Sequence, residues 1–307
     1  MRINPLLAKE LRLRMRTWRS FAVVSLYLLA LGGFSLIFFA GFTSSLRYGY
    51  EDPSSVGQNM FYALTALQCG LLYFLLPGLT ANVITGERER QTFDLLVCTQ
   101  LTPLNIVLGK LAASLSTVVL LIISSLPLYS IVFLLGGVSP AELAILTAIL
   151  LISAFNYGSY YLFLSALFQR SSIAVLAGYA LSLFLSGGTM LINGLYASML
   201  HGQGPGLPLY YLLLINPAAL LEWLFPEPGQ EIIGELIRMT SGWTYPFTGS
   251  FSWLRFWHVS LLVHVLLGVA ALWGASRLVN PLRSERKRRR RAITPAAAGK
   301  ELEVTAE

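Results

Sequence analysis

Apolar residues run for about twenty positions at a time along most of this chain. Such runs lack the alternation of a half-buried strand. They also lack the polar stripe of a surface helix. Runs of about 18 residues or more are long enough to cross a bilayer as a helix. Six qualify: 21–42, 61–83, 106–135, 143–168, 173–195 and 256–278, called spans 1 to 6. Pro77 and Pro127 fall inside spans 2 and 3 and are expected to kink them. The fold class predicted is all-α, a polytopic membrane protein with about six transmembrane helices.

Composition agrees with the pattern. Only 12% of the 307 residues are charged and 55% are hydrophobic, whereas a soluble domain carries about 25% charged residues. The net charge of +7 first suggests nucleic acid, but its distribution along the chain argues otherwise. Counting Lys110 and Arg277 with the span ends they flank, the stretches before span 1, between spans 2 and 3, between spans 4 and 5, and after span 6 hold 19 of the 22 Lys and Arg and eight of the 15 Asp and Glu. That side nets +11 and the other −4. Basic loops stay in the cytoplasm, so the chain is expected to be multi-pass in the cell (inner or plasma) membrane, with both termini cytoplasmic. The six Trp residues lie near span ends or in the long outer loop, as interfacial aromatics do. Span 1 is longer than the apolar core of a signal peptide and is read as a retained anchor. Cys69 and Cys98 are too few for a disulfide framework or a metal set.

The segments outside the spans divide the chain into a single transmembrane domain, 1–281, and a tail, 282–307. Residues 1–20 form a predicted interfacial helix. Asn4 and Pro5 suit its start, Leu7, Leu11, Met15 and Trp18 share one face, and Lys9, Arg12, Arg16 and Arg19 share another. Residues 84–103 form an inner loop. Gly86 is expected to break span 2, and Glu87, Arg88, Glu89 and Arg90 alternate in charge. Phe93, Leu96 and Val97 then have the spacing of a short amphipathic helix, and Thr102 with Pro103 starts span 3. Such a loop can dock a partner or lie on its own bundle. The outer loop, 197–255, holds six of the 14 prolines. Its apolar pieces 210–215 and 218–225 are too short to cross and suit a re-entrant or interfacial segment. Residues 231–239 read as a small amphipathic helix. The loop either caps a pathway or only seals the outer surface. The run 286–291 is entirely Lys and Arg and abuts span 6. Anionic lipid is its expected partner, and nucleic acid is not. The Ala-rich residues 292–307 are predicted to be disordered.

Intramembrane chemistry is sparse. Gln68, Asn156 and Asn193 are the interior polar residues, each expected to make a helix-to-helix hydrogen bond. No zinc motif, nucleophile elbow or nucleotide phosphate loop is present. The chain is therefore not expected to be an enzyme or to need a cofactor, and any energy for transport must come from another chain. Ala174, Gly178, Ser182 and Ser186 form a stripe of small residues on span 5, expected to pack within the monomer.

Three stretches carry a family resemblance: Asn4-Pro5-Leu-Leu-x-Lys-Glu-Leu-Arg12, Ile84-Thr-Gly-Glu-Arg-Glu-Arg-Gln-Thr-Phe-Asp-Leu-Leu96, and Thr99-x-Leu-Thr-Pro-Leu-x-Ile-Val-Leu-Gly-Lys110. In this order, with six spans, the chain resembles the membrane subunit of an ABC exporter of the ABC-2 type. Family members often have glycine where this chain has Gln91. The resemblance implies that the N-terminal helix lies along the inner membrane surface. It implies that Glu87, Arg88, Glu89, Arg90, Thr92, Phe93 and Leu96 lie in or beside a coupling helix seated on a cytoplasmic ABC ATPase. It also implies pairing with a second permease subunit, alike or different, and re-entrant segments before span 6. A non-transporting assembly or anchoring protein is the competing expectation. An intramembrane enzyme would need a catalytic pair that the spans do not supply.

Overall fold

The computed structural model describes residues 18–47, 53–93, 102–200, 209–224 and 256–279. Among them are six helices long and apolar enough to cross a membrane, and no strand. They are α1 (Trp18–Arg47), α2 (Pro53–Thr80), the short α3 (Thr85–Glu89), α4 (Pro103–Leu135), α5 (Pro140–Leu167), α6 (Ser171–Leu183), α7 (Thr189–Leu200) and α8 (Phe256–Val279). A π turn, Phe184–Gly188, joins α6 to α7, so span 5 is one helical run with a widened turn in its middle. Two 3₁₀ segments, Leu209–Ile215 and Pro217–Leu224, precede α8. The interfacial helix at 1–17, residues 94–101, the segment 231–239 and the tail lie outside the described residues.

Local sequence sets the helix starts. Thr102 Oγ1 accepts from the Asn105 N–H at 3.4 Å, and Pro103 takes the first helical position of α4. Ser139 and Glu142 form a reciprocal capping box at the start of α5. Pro77 and Pro127 stay within continuous helices.

The break after span 2 is not at Gly86, which lies inside α3. Residues 81–84 form the turn. The Ser165 hydroxyl, from α5, stabilises it by accepting the N–H of Ile84 at 2.9 Å and of Thr85 at 3.1 Å. A long-range acceptor for two backbone donors lets the chain turn there.

Lipid tails are as apolar as leucine, so close packing and polar contacts hold such a bundle together. One core joins α1, α2, α4 and α5 around Leu31, Met60, Leu64, Leu121, Tyr157 and Tyr161. A second core, at the α3 end, joins α4, α5 and α8 around Ile84, Val107, Leu111, Leu162 and Ala275. A Cβ added at Gly268 of α8 would meet the Asn156 side chain of α5, so a larger residue there needs that side chain to move.

Candidate functional site

The inner loop is mounted on the bundle by three consecutive side chains, Glu87, Arg88 and Glu89. α3 ends in a Schellman turn: Gln91 N–H bonds Arg88 O at 3.1 Å and Thr92 N–H bonds Glu87 O at 3.0 Å. Gln91 takes φ +57° to close it, the left-handed region that favours glycine. The family pattern's glycine would fit this position with less strain.

Glu87 points back into the bundle. Its Oε1 lies 3.1 Å from Lys110 Nζ of α4, and its Oε2 accepts from Thr92 Oγ1 at 2.6 Å. Lys110 is only 2% exposed. Burial pushes the Glu87 carboxyl up, but the Thr92 hydroxyl and the Lys110 ammonium outweigh it and hold the group below its ordinary range.

Arg88 and Glu89 reach the α5–α6 junction. Arg88 Nη1 donates to Ala166 O at 2.9 Å and Phe168 O at 3.1 Å, carbonyls left open at the end of α5. Its guanidinium lies 5.1 Å from the Phe93 ring centre. Burial lowers the Arg88 pKa, yet an arginine stays charged. Glu89 accepts from both the backbone N–H and the hydroxyl of Ser171, each at 2.7 Å, at the start of α6. The Ser171 N–H and hydroxyl hold the Glu89 carboxyl below its ordinary range. A cation thus sits on a helix C-terminus and an anion on the next helix N-terminus, as the two macrodipoles favour. Arg90 is exposed.

Leu96, and Leu7, Leu11, Arg12 and Met15 of the N-terminal segment, lie outside the described residues. Trp18 is the first residue of α1 and is 82% exposed. The span 5 stripe packs on α2. Ala174 is fully buried, and a Cβ on Gly178 would lie 3.2 Å from Pro77 Cβ. Ser182 Oγ donates to Tyr73 O at 3.2 Å, and Ser186 Oγ to Ser182 O at 2.7 Å.

Sequence reasoning missed Ser165, Ser171 and the burial of Lys110. Lys110 carried a usable signal, since it lies one turn and more inside an apolar helix. Ser165 and Ser171 did not, because their partners are some eighty positions away.

A second polar site holds the 3₁₀ segments. Asn216, fully buried between them, donates from Nδ2 to Ser186 O at 2.8 Å and Thr189 Oγ1 at 2.7 Å, in and beside the π turn. Its Oδ1 accepts the Ala218 N–H at 2.7 Å. Ser260 Oγ donates to Leu214 O at 2.9 Å, and Tyr157 OH reaches Ile215 O at 3.5 Å. Two carbonyls of the first 3₁₀ segment are thereby bonded by side chains of α5 and α8. His264 Nδ1 lies 2.8 Å from Ser260 O, so that nitrogen carries the proton.

Of the three interior amides, one meets the expectation and two do not. Gln68 of α2 does bridge helices, donating to Ser125 Oγ at 2.9 Å and accepting from Tyr129 OH of α4. Asn193 instead donates within its own helix, to Thr189 O at 2.9 Å. Asn156 is fully buried, and neither of its side-chain polar atoms has a hydrogen-bond partner among the described residues; its Oδ1 lies against Gly268. Among the described residues no three His, Cys, Asp or Glu side chains converge. No family model matches the chain, and no curated protein matches it.

Proposed function

We propose that the chain is the permease subunit of an ABC-2-type exporter, working as a dimer and driven by a separate cytoplasmic ATPase. The observation that carries the reading is the mounting of the inner loop. A loop that only links two spans needs no fixed geometry. Here α3 is tied to α4 by Glu87–Lys110, to the end of α5 by Arg88 and to the start of α6 by Glu89. A push on α3 therefore reaches three helices, which is what a coupling segment needs. The Asn216 contacts to Ser186 O and Thr189 then join span 5 to the segment preceding span 6. The basic loops support a cytoplasmic position for α3 under the positive-inside rule. The resemblance at 84–96 and 99–110 supplies the family; the mounting supplies the mechanical reason. The apolar interior favours an amphipathic cargo.

Glu89 is the residue to test, because it is exposed and its loss leaves no buried charge behind. In lipid nanodiscs holding the chain and its accompanying ATPase, Glu89→Lys is expected to slow ATP hydrolysis about tenfold while membrane insertion stays normal. Unchanged hydrolysis in a well-inserted Glu89→Lys protein would contradict the coupling role.

A further inference from the structure

α8 has two faces. Ser260, His264 and Ala275 are buried, while Leu262, Leu266, Val269 and Trp273 are exposed, one turn after another. The exposed stripe is apolar as far as Trp273 and ends one turn later at Arg277, in the last turn of the helix. Ala275 and Val279 share a core with Val83 and Ile84, so this end of α8 lies at the α3 end of the bundle.

Arg277 is held by its neighbour. Its guanidinium carbon lies 3.7 Å from the centre of the Trp273 ring, a cation–π contact. Stacking uses the face of a guanidinium and leaves the N–H groups in its plane free to donate. Among the described residues the one ion pair is Lys110–Glu87, so no carboxylate takes them. Trp273 itself is 55% exposed.

Positive charge continues past the helix. Residues 280–291 hold seven Lys and Arg and one acidic residue, Glu285. Charge alone gives that run an anionic lipid partner; α8 adds a fixed place for one. An apolar stripe that ends in an aromatic ring and then a pinned cation matches a phospholipid from acyl chain to headgroup. An acidic protein surface would meet Arg277 but leave the stripe above it unused.

We infer that the Trp273–Arg277 turn is a binding site for an anionic phospholipid, with the acyl chain along Leu266 and Val269 and the phosphate on the in-plane N–H groups of Arg277. The site does not depend on the permease reading.

Native mass spectrometry of the full chain in mild detergent, titrated with phosphatidylglycerol, phosphatidylcholine or inorganic phosphate, tests the site. Wild type is expected to bind phosphatidylglycerol more tightly than phosphatidylcholine. Trp273→Leu, which changes no charge, and Arg277→Gln are each expected to weaken phosphatidylglycerol binding about fivefold. Both side chains are exposed, so neither change touches the core. Trp273→Phe keeps a ring face and is expected to lose less. Wild-type affinity in Trp273→Leu would assign the binding to the charge of the tail and overturn the inference. Equal affinity for phosphatidylcholine would overturn it as well. Full displacement of phosphatidylglycerol by equimolar inorganic phosphate would make this a free-anion site and refute the lipid assignment.

Discussion

Gln91 and Lys110 show how single residues shape the inner loop. Gln91 closes the Schellman turn at φ +57°, a conformation that costs an ordinary L-residue roughly 1–2 kcal/mol. Gln91→Gly is therefore expected to stabilise the protein by about 1 kcal/mol, and Gln91→Ile to destabilise it. Thermal unfolding in detergent reads both; a less stable Gln91→Gly would contradict the turn. Lys110 is buried and depends on Glu87. Removing Glu87 leaves an uncompensated cation, so Glu87→Ala is expected to cost about 3 kcal/mol. The double variant Glu87→Ala with Lys110→Met should recover most of that loss, and equal losses would refute the pairing. The pH dependence follows from the same pair. Glu87 has a depressed folded pKa, so its contribution is present above the ordinary carboxylate range and is lost as pH falls through it. Thermal stability should drop below about pH 4, and the drop should be smaller in the double variant.

Helices are where sequence was most informative. Apolar runs located all six long helices because a bilayer demands a continuous apolar stretch and tolerates few charges. The start of α4 at Thr102-Pro103 was also legible, since its cap is local. The break after α2 was misplaced to Gly86, because the turn is made by Ser165, eighty positions along the chain. The clasp at the α5–α6 junction was equally hidden. The alternation of Glu87 to Arg90 announces charge but not the carbonyls and N–H groups it will meet. The α5–α8 contact gives an element-scale prediction. Gly268→Ala places a Cβ against Asn156 and is expected to cost about 1–3 kcal/mol, while Gly268→Ala with Asn156→Ala should regain part of it. Indifference to Gly268→Ala would show that the two helices lie farther apart. For the 3₁₀ segments, Asn216→Ala removes both contacts to span 5. Backbone amides near Leu213 and Ala219 should then exchange hydrogen faster; unchanged exchange would contradict that anchoring role.

For the whole molecule, scarcity of charge is the organising fact. Only one buried cation, Lys110, is found among the described residues, and it serves the inner loop rather than a pathway through the spans. Under the proposed function, energy for transport would enter from outside the bundle, at the α3 end. Three helices meet there through Glu87, Arg88 and Glu89, and one of them, span 5, leads to the π turn and Asn216. The most direct measurement is affinity purification of the full chain from its native membrane in mild detergent, with every bound chain identified by mass spectrometry and quantified. A cytoplasmic ATPase carrying a nucleotide phosphate loop, present in equal molar amount, is the predicted result. A chain recovered with no such ATPase, while other native complexes survive the same detergent, would contradict the account.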